Sequence, residues 1–372
     1  MNKNYREILF LHLQGIVLIP IVNQLFCSKI FEIILDHKEI SIKMLSEKTN
    51  INAGYINIAF RTLRSANLLK VNINDNEYDT TYKPTEDLIQ LYKYKEMVKD
   101  FSKLLHYHEK FISLNDIELE EYTKLIDLSI DYLNELKKHN NQNLLYNKFE
   151  GLLLGPLLSN LSFNGYFSTI DNDNFVIKNL DENFTNSIET VFISSDLIHI
   201  SNENYSITNK GEFFFQKSAS YGVTCSYIPT LSKLKDLLFN NCSFIWDKDD
   251  NNNELHVNRE MNVWGSGGAH KTYFKKIDKI ILSLFNKPLN EQPKGIVDVG
   301  CGDGTFLEHV YNIIKNHTIR GKHFDEFPLN IIGVDINKAA RISSRKKLNS
   351  ANIESIIING SINEPKMIND IL

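Results

Sequence analysis

Apolar residues recur at helical rather than alternating spacing through the first segment, which predicts helices up to about Leu69. The most apolar stretch, Ile8 to Phe26, contains His12, Gln14, Pro20 and Asn23. Those polar groups would go unpaired in hydrocarbon, so the stretch predicts a buried pair of amphipathic helices and no membrane span. The mixed charge of the first seven residues does not fit a secretory leader. Ser41 to Thr49 reads as a short helix. The polar run Asn50-Ile-Asn-Ala-Gly54 then caps a second, Tyr55 to Leu69, with Ile58, Leu63 and Leu68 at roughly helical spacing. From Lys70 to Asp79 apolar and polar residues alternate around an Asn-Asp turn, the pattern of a small hairpin.

Helix, turn, helix, hairpin is a winged-helix order. Thr85 to Leu145 keeps helical spacing without proline and reads as a connector. A second unit of the same style starts near Phe149. Gly155-Pro-Leu-Leu158 is expected to open a helix, Phe184 to Leu197 is a recognition-like helix, and His199 to Thr208 alternates around a polar turn. Thr208-Asn-Lys-Gly211 leads into a further apolar helix. Asp247 to Glu254 is a polar linker, and Gly265-Ser-Gly-Gly268 is expected to be a flexible turn before a helix carrying Tyr273, Phe274, Ile277 and Leu284. The expected domains are 1–84 winged-helix-like, 85–148 helical connector, 149–246 a second winged-helix-like lid, 247–293 linker and Gly-rich helix, and 294–372 an α/β unit.

That last unit holds the chemistry. Gly295-Ile-Val-Asp-Val-Gly-Cys-Gly-Asp-Gly-Thr305 predicts a buried strand (Ile296, Val297, Val299), a tight loop and a helix to Lys315. Glycines suit a loop whose backbone must lie against a ligand and adopt positive φ. Backbone N–H groups at the helix start could meet a ligand carboxylate. A second strand, Leu329 to Val334, ends on Asp335, whose carboxylate can accept both hydroxyls of a ribose. A helix from Lys338 to Asn349 and a third strand, Ile353 to Ile358, complete a βαβαβ half of a doubly wound sheet. The spacing GxGxG, with Asp298 before the loop and Asp335 after the next strand, favours S-adenosylmethionine over a dinucleotide.

The net charge of -5 argues against broad nucleic-acid affinity. From Ser41 to Thr80 the bases Lys43, Lys48, Arg61, Arg64 and Lys70 face the acids Glu47, Asp75, Glu77 and Asp79, too even a balance for strong phosphate binding. Cys27, Cys225, Cys242 and Cys301 form no CxxC pair, as expected of a reduced, cytoplasmic chain.

The strand-loop-strand block resembles motif I of class I S-adenosylmethionine-dependent methyltransferases. The resemblance implies that Asp298, Gly300, Gly302 and Gly304 line the methionine end and that Asp335 binds the ribose. Ile336 and Asn337 would border the adenine, and Ser361 and Ile362 would stand where that family has Gly-Asp-Ile. The replacement of that Asp by Ser361 is a departure expected to weaken adenine binding. Upstream, Glu254 to Phe274 and Tyr221 to Pro229 are similar to a polyketide-synthase subgroup, the GNAT-associated, apratoxin-type C-methyltransferases. In that subgroup's pattern Asn258 replaces a more usual Asp. The resemblance implies C-methylation of an acyl group on an acyl carrier protein within a polyketide synthase module, with a divalent metal or iron in some members. His256 and His270 invite a metal or acid–base reading, although a lone loop His is more often a surface or capping residue; the resemblance makes His270, beside the Gly-rich stretch, a weak catalytic candidate.

Class I cores usually have seven strands, whereas Gly295 to Leu372 is 78 residues holding three. The expectation is therefore a fragment, a split enzyme completed by a partner chain, or a lid kept for another role. A noncatalytic scaffold and a winged-helix DNA-binding regulator are the alternatives to a methyltransferase.

Overall fold

In a computed structural model, residues 3–73, 80–138, 143–171, 174–178, 180–201, 204–250 and 254–366 are described. The chain divides into two compact units, Met1–Asn258 and Arg259–Leu372.

The first unit is built on α1 (Lys3–Cys27). Ile8 to Phe26 is one helix rather than the expected pair, because Pro20 is accommodated inside it. By length and composition α1 could cross a membrane, yet 56% of its apolar window is buried inside the protein. Then come α2 (Ile30–His37), β1 (Ile40–Ser41), α3 (Ile42–Thr49), α4 (Ala53–Ser65), β2 (Leu69–Asn72) and β3 (Thr81–Pro84). Ser41 and Asn52 cap α3 and α4 by accepting backbone N–H bonds, which fixes the helix-turn-helix. The expected hairpin exists, but its second strand falls after Asp79 and β1 adds a third strand in the order β1-β3-β2. Its turn, 74–79, lies outside the described residues.

The expected connector is part of the core. It supplies α5 (Glu86–Tyr92), α6 (Lys95–Glu109) and α7 (Asp116–Lys138), which pack with α8 (Asn143–Phe163) and α1 through buried Phe101, Leu104, Ile126 and Phe149. Gly155-Pro156 sits in the middle of α8 rather than at its start. Glycine lets α1 and α8 approach closely. A Cβ on Gly15 would stand 1.8 Å from the Lys148 carbonyl oxygen, and one on Gly151 would stand 2.1 Å from His12 Cα.

Two buried polar groups hold this helical core. Pro156 has no N–H for the Leu152 carbonyl one turn earlier. His108 Nε2 fills that vacancy at 3.1 Å, while its Nδ1 lies 2.8 Å from the Tyr122 hydroxyl. Burial pushes the His108 imidazole down to about 3, against a weaker lift from the Leu152 bond, so the ring is neutral. Nε2 then donates and Nδ1 accepts. The second group is Glu150. It meets His12 Nε2 at 3.0 Å, the Tyr146 hydroxyl at 3.1 Å and Lys210 Nζ at 3.3 Å, and His12 Nδ1 lies 2.7 Å from the Tyr221 hydroxyl. Burial opposes the Glu150 charge, but the His12 bond and the Lys210 charge overcome it and hold the carboxyl at about 2.

The unit ends in a second winged-helix pattern. It contains β4 (Phe167–Asp171), β5 (Asn174–Ile177), α9 (Glu182–Ser194), β6 (Ile198–Ser201), β7 (Asn204–Ile207) and α10 (Asn209–Gln216). Thr208 caps α10 with its hydroxyl. Three short helices follow, α11 (Ala219–Cys225), α12 (Ile228–Leu231) and α13 (Leu234–Phe239). Across the expected linker, Lys248 bridges to Glu254 and Leu255 N donates to the Asp247 carbonyl at 3.1 Å.

The second unit opens with α14 (Arg259–Phe285), which runs unbroken through Gly265-Ser-Gly-Gly268. The expected turn is absent, since both flanks continue the helix through it, with Ser266 Oγ donating to the Asn262 carbonyl at 2.8 Å. Then follow β8 (Gly295–Val299), α15 (Thr305–His317), β9 (Asn330–Val334), α16 (Lys338–Ser350) and β10 (Ile356–Ile358). The sheet is parallel, in the order β10-β9-β8. Its core is Cys301, Leu307, Ile331, Leu348, Ile353 and Ile357. Strand β8 is not the buried strand expected. It lies at a sheet edge, and Val297 and Val299 are 49% and 39% exposed.

Replacing His108 with Phe strands the Leu152 carbonyl and the Tyr122 hydroxyl, and should cost about 2–4 kcal/mol in urea unfolding. The lowered pKa of Glu150 contributes stability that is full above pH 4.5 and is lost as pH falls toward 2. Glu150→Gln should therefore flatten that acid limb when unfolding free energy is measured against pH.

Candidate functional site

The loop between β8 and α15 turns on three glycines in the left-handed region, Gly300 (φ 86), Gly302 (φ 55) and Gly304 (φ 80). L side chains rarely adopt those angles. A Cβ on Gly300 or Gly302 would meet nothing within 4 Å, so their faces are open. The loop is tied to β9 by Gly300 N and Cys301 N, which donate to the Val334 carbonyl at 2.7 and 3.1 Å. Asp335 closes the arrangement. Its Oδ2 accepts from Gly302 N at 3.0 Å and its Oδ1 from Asn337 N at 2.8 Å.

Several loop amides are already engaged within the fold. Those of Gly300, Cys301 and Gly302 are engaged as described, Gly304 N donates to the Cys301 carbonyl, and Thr305 N donates to Asp303 Oδ1 at 3.0 Å. Asp303 is structural. It caps α15 and is gripped by Lys347 and by the Thr305 hydroxyl. Burial opposes its ionisation, but those bonds prevail and hold it below the usual carboxylate range.

Asp298 differs. It is half-buried, and among the described residues no hydrogen bond or ion pair involves it. Burial raises its pKa above the ordinary carboxyl value, and the charge of Asp335 raises it further. A carboxylate in that position gains from any cation placed beside it. Cys301 is buried beneath the loop, and burial together with Asp335 pushes its thiol up to about 11. It is not a nucleophile at neutral pH.

The remaining expected residues follow the ends of β9 and β10. Ile336 is 70% exposed and Ile362 73% exposed. Asn337 spends its side-chain oxygen capping α16, accepting from Ala340 N at 3.0 Å. Ser361 Oγ accepts from Asn363 N at 3.2 Å. Sequence reasoning missed Arg341 and Asn359. Arg341 Nη1 donates to the Asp335 carbonyl at 2.9 Å and to Asn359 Oδ1 at 2.8 Å, and so welds α16 to the strand ends. The available signal was the spacing of Arg341, Ser344 and Lys347 along the inner side of that helix.

The upstream candidates are not brought into the crevice by any described contact. The His270 side chain lies outside the described residues. His256 has its carbonyl bonded to Thr230 Oγ1 at 2.6 Å and a buried Nδ1 without a partner. Phe274 packs on Phe306 and His309, and His309 Nε2 meets Asp278 Oδ1 at 2.7 Å. Among the described residues no group of His, Cys, Asp and Glu could hold a metal ion, so they do not fit the metal that the resemblance implied.

A parallel βαβαβ sheet with a positive-φ glycine loop and an acid ending its second strand defines the leading half of a class I methyltransferase domain. Three family models agree. The AprA MT2-like domain matches residues 254–372, the AprA N-terminal domain residues 5–71, and the AprA winged helix domain residues 150–241. These matches show the apratoxin-type resemblance and support a methyltransferase of the AprA family. No curated protein matches the chain. The residues present fit the methyl donor of such a domain, because Asp298 lacks a cation and the glycine faces stand open.

A carboxyl group whose folded pKa is raised stabilises the fold most below its unfolded pKa, and that contribution is lost as pH rises through the folded pKa. Asp298→Asn should accordingly raise the melting temperature of the ligand-free protein at pH 7. The gain should vanish near pH 3, as differential scanning fluorimetry across pH would show.

Proposed function

We propose that the chain binds S-adenosylmethionine in the β8–β9 crevice and serves C-methylation of an acyl group carried by an acyl carrier protein in polyketide assembly. The single observation that supports this most is Asp298, a half-buried acid facing the charge of Asp335 with no cation of its own. The ligand suited to that place is cationic and carries vicinal hydroxyls and a flat apolar base. When bound, S-adenosylmethionine supplies a methyl group on a sulfonium, which needs no acid to activate it.

Each residue has a part in holding that ligand. Asp298 offsets the cationic methionine end. Gly300, Gly302 and Gly304 let the ligand lie against the backbone. Asp335 keeps lone pairs for the ribose hydroxyls beyond those used by Gly302 and Asn337. Ile336 and Ile362 offer apolar faces to the adenine, flanked by Asn337 and Ser361. No described residue is assigned as a general base, so the work of this half is alignment. A partner polypeptide that adds strands beside β8 would cover Val297 and Val299, since parallel sheets are buried on both faces. The reducing cytoplasm suits the free Cys27 and Cys242.

Calorimetry with S-adenosylmethionine should show binding that weakens at least tenfold in Asp335→Ala and in Asp298→Asn. Affinity should also fall as acid protonates Asp298. Absence of heat with a protein that melts cooperatively would overturn the proposal. Mass spectrometry of a malonyl-loaded carrier protein, looking for the gain of one methyl, tests the acceptor separately.

A further inference from the structure

Helix α16 has a face that the crevice does not use. Ala340, Ser344 and Leu348 point inward and are buried. Lys338, Ile342, Arg345, Lys346 and Asn349 lie on the opposite side and are exposed, Ile342 at 55%. The helix carries Lys338, Arg341, Arg345, Lys346 and Lys347 and no acidic residue. Arg345 Nη2 donates to the Ile357 carbonyl at 2.6 Å, a neutral partner that leaves its charge uncompensated. Among the described residues, Lys338 and Lys346 have no side-chain hydrogen bond or ion pair. The chain as a whole is acidic, yet residues 259–372 hold 16 Lys and Arg against 12 Asp and Glu, and the preceding residues hold 25 against 34.

The position of this face gives it meaning. α16 begins three residues after Asp335, and Asn337 caps it. Whatever sits on its first turns stands at the lip of the crevice beside exposed Ile336. An apolar side chain ringed by cations is the arrangement of a protein interface, with a dry centre and a charged rim. The charges would speed encounter with an acidic partner and make binding sensitive to salt. A nucleic-acid footprint fits less well. A helix of this length spans about 20 Å. A carboxylate also stands among its cations, with Glu308 lining the groove beside Lys346 and Lys347.

We propose that the outer face of α16 docks a protein that presents an acidic helical surface, and that this protein is the carrier of the acyl substrate. The inference rests on the carrier-borne substrate proposed above. Lys338, Arg345 and Lys346 would meet the partner's carboxylates, and Ile342 would meet an apolar residue at their centre.

The test uses the full chain and a purified acyl carrier protein of net negative charge, with binding read by fluorescence anisotropy at low and high salt. The wild type should bind, and raising salt should weaken it steeply. Lys338→Glu combined with Lys346→Glu should weaken binding at least tenfold, and Ile342→Ser should weaken it several-fold. Lys99→Glu combined with Lys124→Glu, on the first unit, should change nothing. S-adenosylmethionine affinity, measured on the same samples, should be unaltered in every variant. If that affinity is present while the carrier fails to bind, or binds the double variant as well as the wild type, the docking proposal is overturned and the crevice reading stands. Equal retention of a short DNA duplex, lost in the same double variant, would also overturn it in favour of a general polyanion surface.

Discussion

The carboxylate of Asp335 joins the loop at Gly302, 33 residues before it, to the start of α16 at Asn337. Without it, three glycines in a row of alternating positions would leave the loop free to sample many shapes. With it, one oxygen fixes the loop and the other fixes the helix start, so the crevice has walls before any ligand arrives. Arg341 strengthens the same junction by bonding the Asp335 carbonyl and Asn359. The acid at the end of β9 is thus both a part of the architecture and a candidate ligand group.

That double use sets the electrostatics. Asp303 is satisfied by Lys347 and Thr305, Asp335 by backbone amides, and Asp298 by nothing described. Three acids lie around one loop, and they differ because their neighbours differ. The unsatisfied one is a cost to the empty fold, and a cationic ligand would turn that cost into affinity. Strain held at a site and released on binding is how a modest scaffold gains selectivity.

Much of this was legible in the residues. The helix caps at Ser41, Asn52 and Thr208, the GxGxG loop and the acid ending the second strand all act locally, and local chemistry is written in the sequence. What was not legible depends on partners far along the chain. Pro156 looked like a helix start because nothing nearby shows that His108 supplies the missing donor. Gly265 to Gly268 looked like a turn because glycine is a poor helix former, whereas the helical flanks carry it through. Strand β8 looked buried because its residues are apolar, but apolarity does not say which elements are there to cover it. That Asp335 and Val334, distant in sequence, occupy the amides of Gly300, Cys301 and Gly302 was likewise not readable locally.

The bond between His108 and the Leu152 carbonyl constrains how the chain can change over generations. A substitution at His108 is harmful while Pro156 remains, because the carbonyl then has no donor. Exchange of Pro156 for a residue with an N–H restores the ordinary helix bond and leaves His108 with a redundant partner. The two positions are therefore epistatic, and one order of substitution is open to drift while the other is closed. Once the proline is gone, a change at position 108 costs only the partner of the Tyr122 hydroxyl.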